Sequence, residues 1–187
     1  MVESDPEPTL LNPYFNKVHL DISIKSLKWA SLDFNIYQYC HQVVSAVVFH
    51  VINDNSTKNF IEVSLLLSDD EALQDLNKEY RNKDKPTNVL SFPFLKNTKD
   101  EIINIIKSQP VTFLGDIAIS YERVVEESLQ QEKKLTDYFA HILIHGILHL
   151  FQYNHIVDEE MKIMEAMEAK IMQFFAQTPL STFKSKP

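Results

Sequence analysis

His145-Gly146-Ile147-Leu148-His149-Leu150-Phe151-Gln152-Tyr153-Asn154-His155 carries three of the chain's seven histidines within eleven residues. On a helix, His145 and His149 lie one above the other on one face, close enough to share a metal ion. His155 comes six residues later, which a continuous helix would rotate by about 600°, away from that face. The helix must therefore end near residue 152, and the chain must turn back to offer His155 as a third ligand. Asn154 is a candidate for the left-handed backbone that such a turn needs. Upstream, the helix over Tyr138–Phe151 is otherwise almost wholly apolar, so its histidines are largely buried. A buried ring without a partner costs on the order of 1–3 kcal/mol, a cost that one shared metal removes for two rings together. Three neutral imidazoles suit zinc, and three protein ligands leave the fourth tetrahedral position open, as in catalytic sites. His141, one turn earlier, reads as a supporting group or as a satisfied core histidine.

Working outward, Val18–Ile24 alternates apolar and polar residues and predicts a half-buried strand. Asp33 to about Asn53 lacks Pro and Gly and predicts a core helix; its Val43, Val44, Val47 and Val48 keep a strand open as the alternative. Phe60–Leu67 reads as a strand. Ser68-Asp69-Asp70-Glu71 has a capping-box pattern, starting a helix that runs to about Arg81. Thr87–Phe92 reads as a short strand closed by Pro93, and Lys96–Pro110 as a connection with one helical turn. Val111–Ser120 reads as a strand, followed by helices at about Tyr121–Gln131, Thr136–Tyr153 and Asp158–Phe175. In the last, Met161, Met164, Ile171 and Phe174 recur at helical spacing, a core-packing pattern. Elements mixed in this order point to one α/β or α+β sandwich.

The 187 residues, 44% of them hydrophobic, are enough for one packed domain and too few for two. Cys40 is the only cysteine, so no internal disulfide is expected. No run of 18 apolar residues exists to cross a membrane. The opening MVESDPEPTLLNP lacks the features of a secretory or mitochondrial leader, and a cytoplasmic location is expected. With 26 acidic against 18 basic residues, the net charge of -8 argues against a protein that coats nucleic acid. It leaves room for an enzyme that touches a few phosphates through a local basic patch. Lys78–Lys85 is such a patch, with four basic and two acidic residues. Zinc peptidases of the H-E-x-x-H type share the histidine spacing, but position 146, where their general base stands, is Gly.

With Gly146 in that place, the segment resembles the H-G-x-L-H-L-x-G-Y-D-H signature of the YbeY family. Leu76-Asn77-Lys78-Glu79-Tyr80-Arg81-Asn82-Lys83-Asp84-Lys85-Pro86-Thr87-Asn88-Val89-Leu90-Ser91-Phe92-Pro93 is similar to the family's L-N-x-x-Y-R-x-x-D-x-P-T-D-V-L-S-F-P. Leu114-Gly115-Asp116-Ile117-Ala118-Ile119-Ser120 supplies a third block, and the blocks together span roughly Phe60 to Ile171. The chain's only two glycines, Gly115 and Gly146, both fall inside them. Gly146 also reads as a point of close approach, of substrate beside the metal or of packing helices, at a helix-propensity cost of about 1 kcal/mol. Three departures stand out: Gln152 for Gly, where a left-handed residue costs roughly 1–2 kcal/mol, and Asn154 and Asn88 for Asp.

The resemblance implies a single-strand-specific, metal-dependent endoribonuclease. It would act in maturation of the 16S rRNA 3′ end and in ribosome quality control. One zinc ion would be held by His145, His149 and His155, and zinc of this kind lowers the pKa of water toward about 7. Arg81, at the family's Y-R position, is the candidate cation for charge developing on phosphoryl oxygens. The implied partners are single-stranded RNA, the small ribosomal subunit and assembly proteins, with no membrane. A metal-stabilised assembly factor with little catalysis, or a zinc hydrolase of another substrate, are the competing readings; imidazole also suits nickel. The expected fold is α+β: a small mixed sheet of about four strands packed against about five helices, with the zinc-binding helix central. A loose leader over 1–16, one domain over 17–177 and a tail over 178–187 complete the layout.

Overall fold

In the computed structural model, which describes residues 15–53, 59–155 and 157–176, four strands form one mixed sheet. They are β1 (Val18–Ile24), β2 (Phe60–Ser68), β3 (Val89–Pro93) and β4 (Val111–Ser120), in the order β1-β2-β4-β3. β1, β2 and β4 run parallel, and β3 pairs antiparallel with β4 at the edge. An edge place is where a strand can end in Pro93 without losing a ladder bond. Gly115 has φ +140° at a register shift in β4, where a Cβ would come within 2.2 Å of the Phe92 carbonyl oxygen. Only glycine fits there.

Among the described residues six α-helices surround the sheet, where about five were expected: α1 (Ile36–Ile52), α2 (Asp70–Arg81), α3 (Lys99–Ser108), α4 (Tyr121–Gln130), α5 (Leu135–Leu150) and α6 (Asp158–Ala176). The additional one is α3. Lys96–Pro110 is not a connection with one turn but carries a ten-residue helix, opened by a reciprocal Thr98–Glu101 capping box. Burial of Ile102 and Ile106 in the main core overrides the weak helix propensity of isoleucine. The valine-rich segment is likewise helical, with Val43, Val44, Val47 and Val48 all fully buried. Asn35 caps it by accepting from the Gln38 amide at 3.1 Å, and Asn53 ends it in the left-handed conformation. The start of α2 differs from the expected capping box: Asp69 is the cap, accepting from the Ala72 amide at 3.1 Å, while Ser68 closes β2.

α5 is buried on nearly every side, from Tyr138 to Leu150, as an all-round apolar helix must be. It packs with α1 and α6 over one face of the sheet, while Leu73 of α2 meets Leu90 and Ala118 on the other. Of the expected stripe on α6, Met164 and Ile171 are buried, Met161 is exposed, and Phe175 replaces Phe174 as the fully packed ring. Among the described residues no helix is long and apolar enough to cross a membrane. The expected leader and tail fall outside the described residues, apart from the first residues of a short 3-10 turn at Phe15–Lys17.

Candidate metal centre

α5 ends at Leu150, three residues before the expected Tyr153, and the way it ends sets the geometry. The Tyr153 amide donates to the Leu148 carbonyl at 3.0 Å and the Gln152 amide to the His149 carbonyl at 3.0 Å. This is the paired bonding of a Schellman turn, with the left-handed position at Gln152 (φ 63°) and not at Asn154. The expectation that Asn154 makes the turn is therefore corrected. Gln152 bears the strain with help from its own side chain, whose Nε2 donates to the Leu95 carbonyl at 2.7 Å. Asn154 is exposed and borders the site.

The turn brings His155 back to the helix. One ligand atom from each of His145, His149 and His155 lies within 4.8 Å of the others. His149 Nδ1 donates to the Tyr153 carbonyl at 2.9 Å, and His145 Nδ1 meets Glu168 Oε1 at 2.7 Å. A carbonyl and a carboxylate only accept, so both rings carry their proton on Nδ1. When both rings are neutral, their Nε2 atoms, 3.0 Å apart, turn lone pairs toward each other. Burial, then the neighbouring His145, push the pKa of His149 down to about 4, so this ring is neutral at pH 7. Two facing lone pairs repel unless a proton or a metal ion stands between them. Tetrahedral zinc ligands at about 2.0–2.1 Å stand about 3.4 Å apart, a few tenths wider than the present spacing. The donor set thus fits a metal ion.

A cleft of about 380 Å³ opens beside the histidines. Arg81, Thr87, Asn88, Ser91, Gln152 and Asn154 line it with them, and among the described residues no acidic one does. The chain's two arginines are used differently. Arg123 is locked to Asp70 at 2.9 Å and Glu126 at 2.7 Å, whereas Arg81 is exposed and has no carboxylate partner among the described residues. Its neighbour Lys78 is tied to Asp84 at 2.8 Å. Gly146 serves helix-to-sheet packing. An added Cβ would stand 3.2 Å from Val89 Cγ2 and 3.3 Å from Ser91 Oγ, and Ser91 Oγ donates to the Gly146 carbonyl at 3.0 Å. Asn88 suits an amide, because its Nδ2 donates to Glu127 Oε2 at 2.8 Å, where a carboxylate would be repelled. His141 lines a second cleft behind the triad, with Glu165 and Glu168.

Glu168 is the site residue that the sequence reading missed. The signal was present: the buried stripe of α6 is Met164, Glu168, Ile171 and Phe175, an acid in an apolar row.

Known proteins resemble this chain over most of its length. A protein of Rhizobium etli described as Endoribonuclease YbeY is 36% identical over 160 residues, covering 83% of this chain and 88% of the relative. One of the same description from Agrobacterium fabrum is 36% identical over 156 residues, covering 82% and 88%. A solution structure of a Thermotoga maritima protein matches in fold, with a TM-score of 0.50 at 18% identity over 90% of this chain and 98% of that one. Residues 28–176 match the family described as Endoribonuclease YbeY, and the chain belongs to that family.

Proposed function

We propose that this chain is a zinc-dependent endoribonuclease that cuts single-stranded RNA during rRNA maturation, with residues 17–177 as its catalytic unit. The observation that carries the reading is the convergence of ring nitrogens of His145, His149 and His155 on a cleft that also holds Arg81, which has no carboxylate partner among the described residues. Family membership supports the reaction class, since the relatives bear the name endoribonuclease.

His145, His149 and His155 are the proposed ligands of one zinc ion. Zinc in such a set supplies Lewis acidity toward a phosphoryl oxygen and makes water acidic enough to deprotonate near neutral pH. The chain's own residues do the rest. Burial keeps His149 neutral, and so available as a ligand at physiological pH. Arg81 offers fork-shaped N–H donors to the non-bridging oxygens on which negative charge builds. Among the described residues no acid lines the cleft, which lets a phosphate approach without repulsion. Among them there is also no carboxylate base there of the kind that amide hydrolysis by H-E-x-x-H enzymes requires. The proposed setting is the cytoplasm, with the small ribosomal subunit and its assembly proteins as partners.

The test offers labelled single-stranded RNA, its duplex and a peptide library to the zinc-loaded protein, beside His149→Ala. Cleavage of the single strand alone, lost in the variant, is expected. An intact RNA with cut peptide would assign another hydrolase. No cleavage, with retained binding to the small subunit, would assign an assembly factor.

A further inference from the structure

Within the proposed metal centre, two ligands have their Nδ1 protons held in different ways. His149 sits in the last turn of α5, where the reversed chain supplies the Tyr153 carbonyl as an acceptor. His145 lies one turn deeper, where backbone carbonyls are spent on the helix ladder. Its acceptor must come from another element. Glu168 provides it from α6, at 2.7 Å, with only 8% of the residue exposed. The flanking members of its stripe, Met164, Ile171 and Phe175, are 1%, 0% and 8% exposed. An apolar side chain would pack there without the desolvation cost of a carboxylate. Among the described residues Glu168 has no Lys or Arg partner; its ion-pair contact is with His145.

We infer that Glu168 is the positioning residue for His145: it holds the Nδ1–H tautomer and ring angle that aim the Nε2 lone pair into the triad. The inference rests on the metal-centre reading above and adds α6 to the machinery of that site. A carboxylate behind a ligand imidazole also raises its donor strength, and loss of such a partner typically lowers metal affinity about 10–100-fold.

The experiment measures zinc affinity of the full chain by competition with a chromophoric chelator, for wild type, Glu168→Ala and Glu168→Gln. Visible spectra of the cobalt-substituted proteins and melting temperatures accompany it. Glu168→Ala should bind zinc about 10–100-fold more weakly and shift the cobalt bands. Glu168→Gln should lose less and keep the wild-type band shape, because its amide oxygen accepts from the same Nδ1–H without the charge. Wild-type affinity and spectra in both variants, with any loss confined to melting temperature, would make Glu168 a helix-packing group and overturn the inference. If Glu168→Ala does not fold, Glu168→Gln decides, by weakened or unchanged affinity. A wild type that binds no zinc removes the metal-centre reading and this inference together. Tight wild-type binding matched by both variants removes only this one.

Discussion

The proposed ligand set divides between a rigid part and a hung part. His145 and His149 are half-buried on α5, each with Nδ1 already bonded and the two Nε2 atoms 3.0 Å apart. His155 is exposed, three residues past a strained turn, with its ring centroid 5.2 Å from that of His149. The helix pair is held by hydrogen bonds to other groups, whereas among the described residues no hydrogen bond holds the exposed His155 ring. Preorganised ligands contribute their full interaction, and ordered ones contribute it less about 0.5–1.5 kcal/mol per side chain.

The largest effect should come from removing a helix ligand. If binding of zinc is worth on the order of 10 kcal/mol, one of three ligands carries more than 3 kcal/mol, on the order of 10²–10³-fold in affinity. His149→Ala should lose that much in a chelator titration, and His155→Ala roughly 2–10-fold less. Equal losses would erase the distinction between the two parts. Next in size, Arg81→Ala should lower kcat about 10²–10³-fold, as loss of an oxyanion donor does, while zinc stays bound. A fall in zinc content alongside activity would instead make Arg81 a support of the ligands.

The helix part also predicts a pH response. Burial lowers the pKa of His149 to about 4, and those of His41 and His50 in the same direction. Such groups bind fewer protons folded than unfolded, so stability is full above about pH 6.5 and declines on acidification. For His149 the decline runs down to about pH 4. Urea unfolding of zinc-free protein at pH 7, 5.5 and 4 should show falling midpoints; a flat profile would mean these rings are not held neutral by the fold.

The turn gives the smallest and most discriminating effect. Gln152→Gly relieves a left-handed residue, worth about 1 kcal/mol, and gives up the bond to Leu95, worth about the same, so stability should hardly change. Gln152→Ala keeps the strain and loses the bond, and should cost about 1 kcal/mol. Thermal melts of the two variants check the pair, and a stabilised alanine variant would contradict the account of the turn.

Much of this architecture was legible in the sequence because its signals were local. The bounds of β1 and β4 coincide with the expected Val18–Ile24 and Val111–Ser120, and the histidine spacing required the helix to stop close to where it does. What stayed hidden depended on contacts between distant segments. α3 is built on isoleucines that become helical through burial, although Thr98 and Glu101 marked its start. Gln152 tolerates the left-handed conformation through Leu95, 57 residues away. Glu168 joins the site across 23 residues, and only its place in an apolar row betrayed it. That Arg81 faces the triad could not be read from the charge pattern of its own segment; the packing of α2 beside β3 puts it there.

The most direct measurement is zinc K-edge X-ray absorption on the purified full chain, with metal content determined on the same sample. The account predicts one zinc per chain, with three imidazole ligands and one further light atom at about 2.0–2.1 Å. A folded chain without zinc, or a zinc shell lacking three imidazoles, would contradict it.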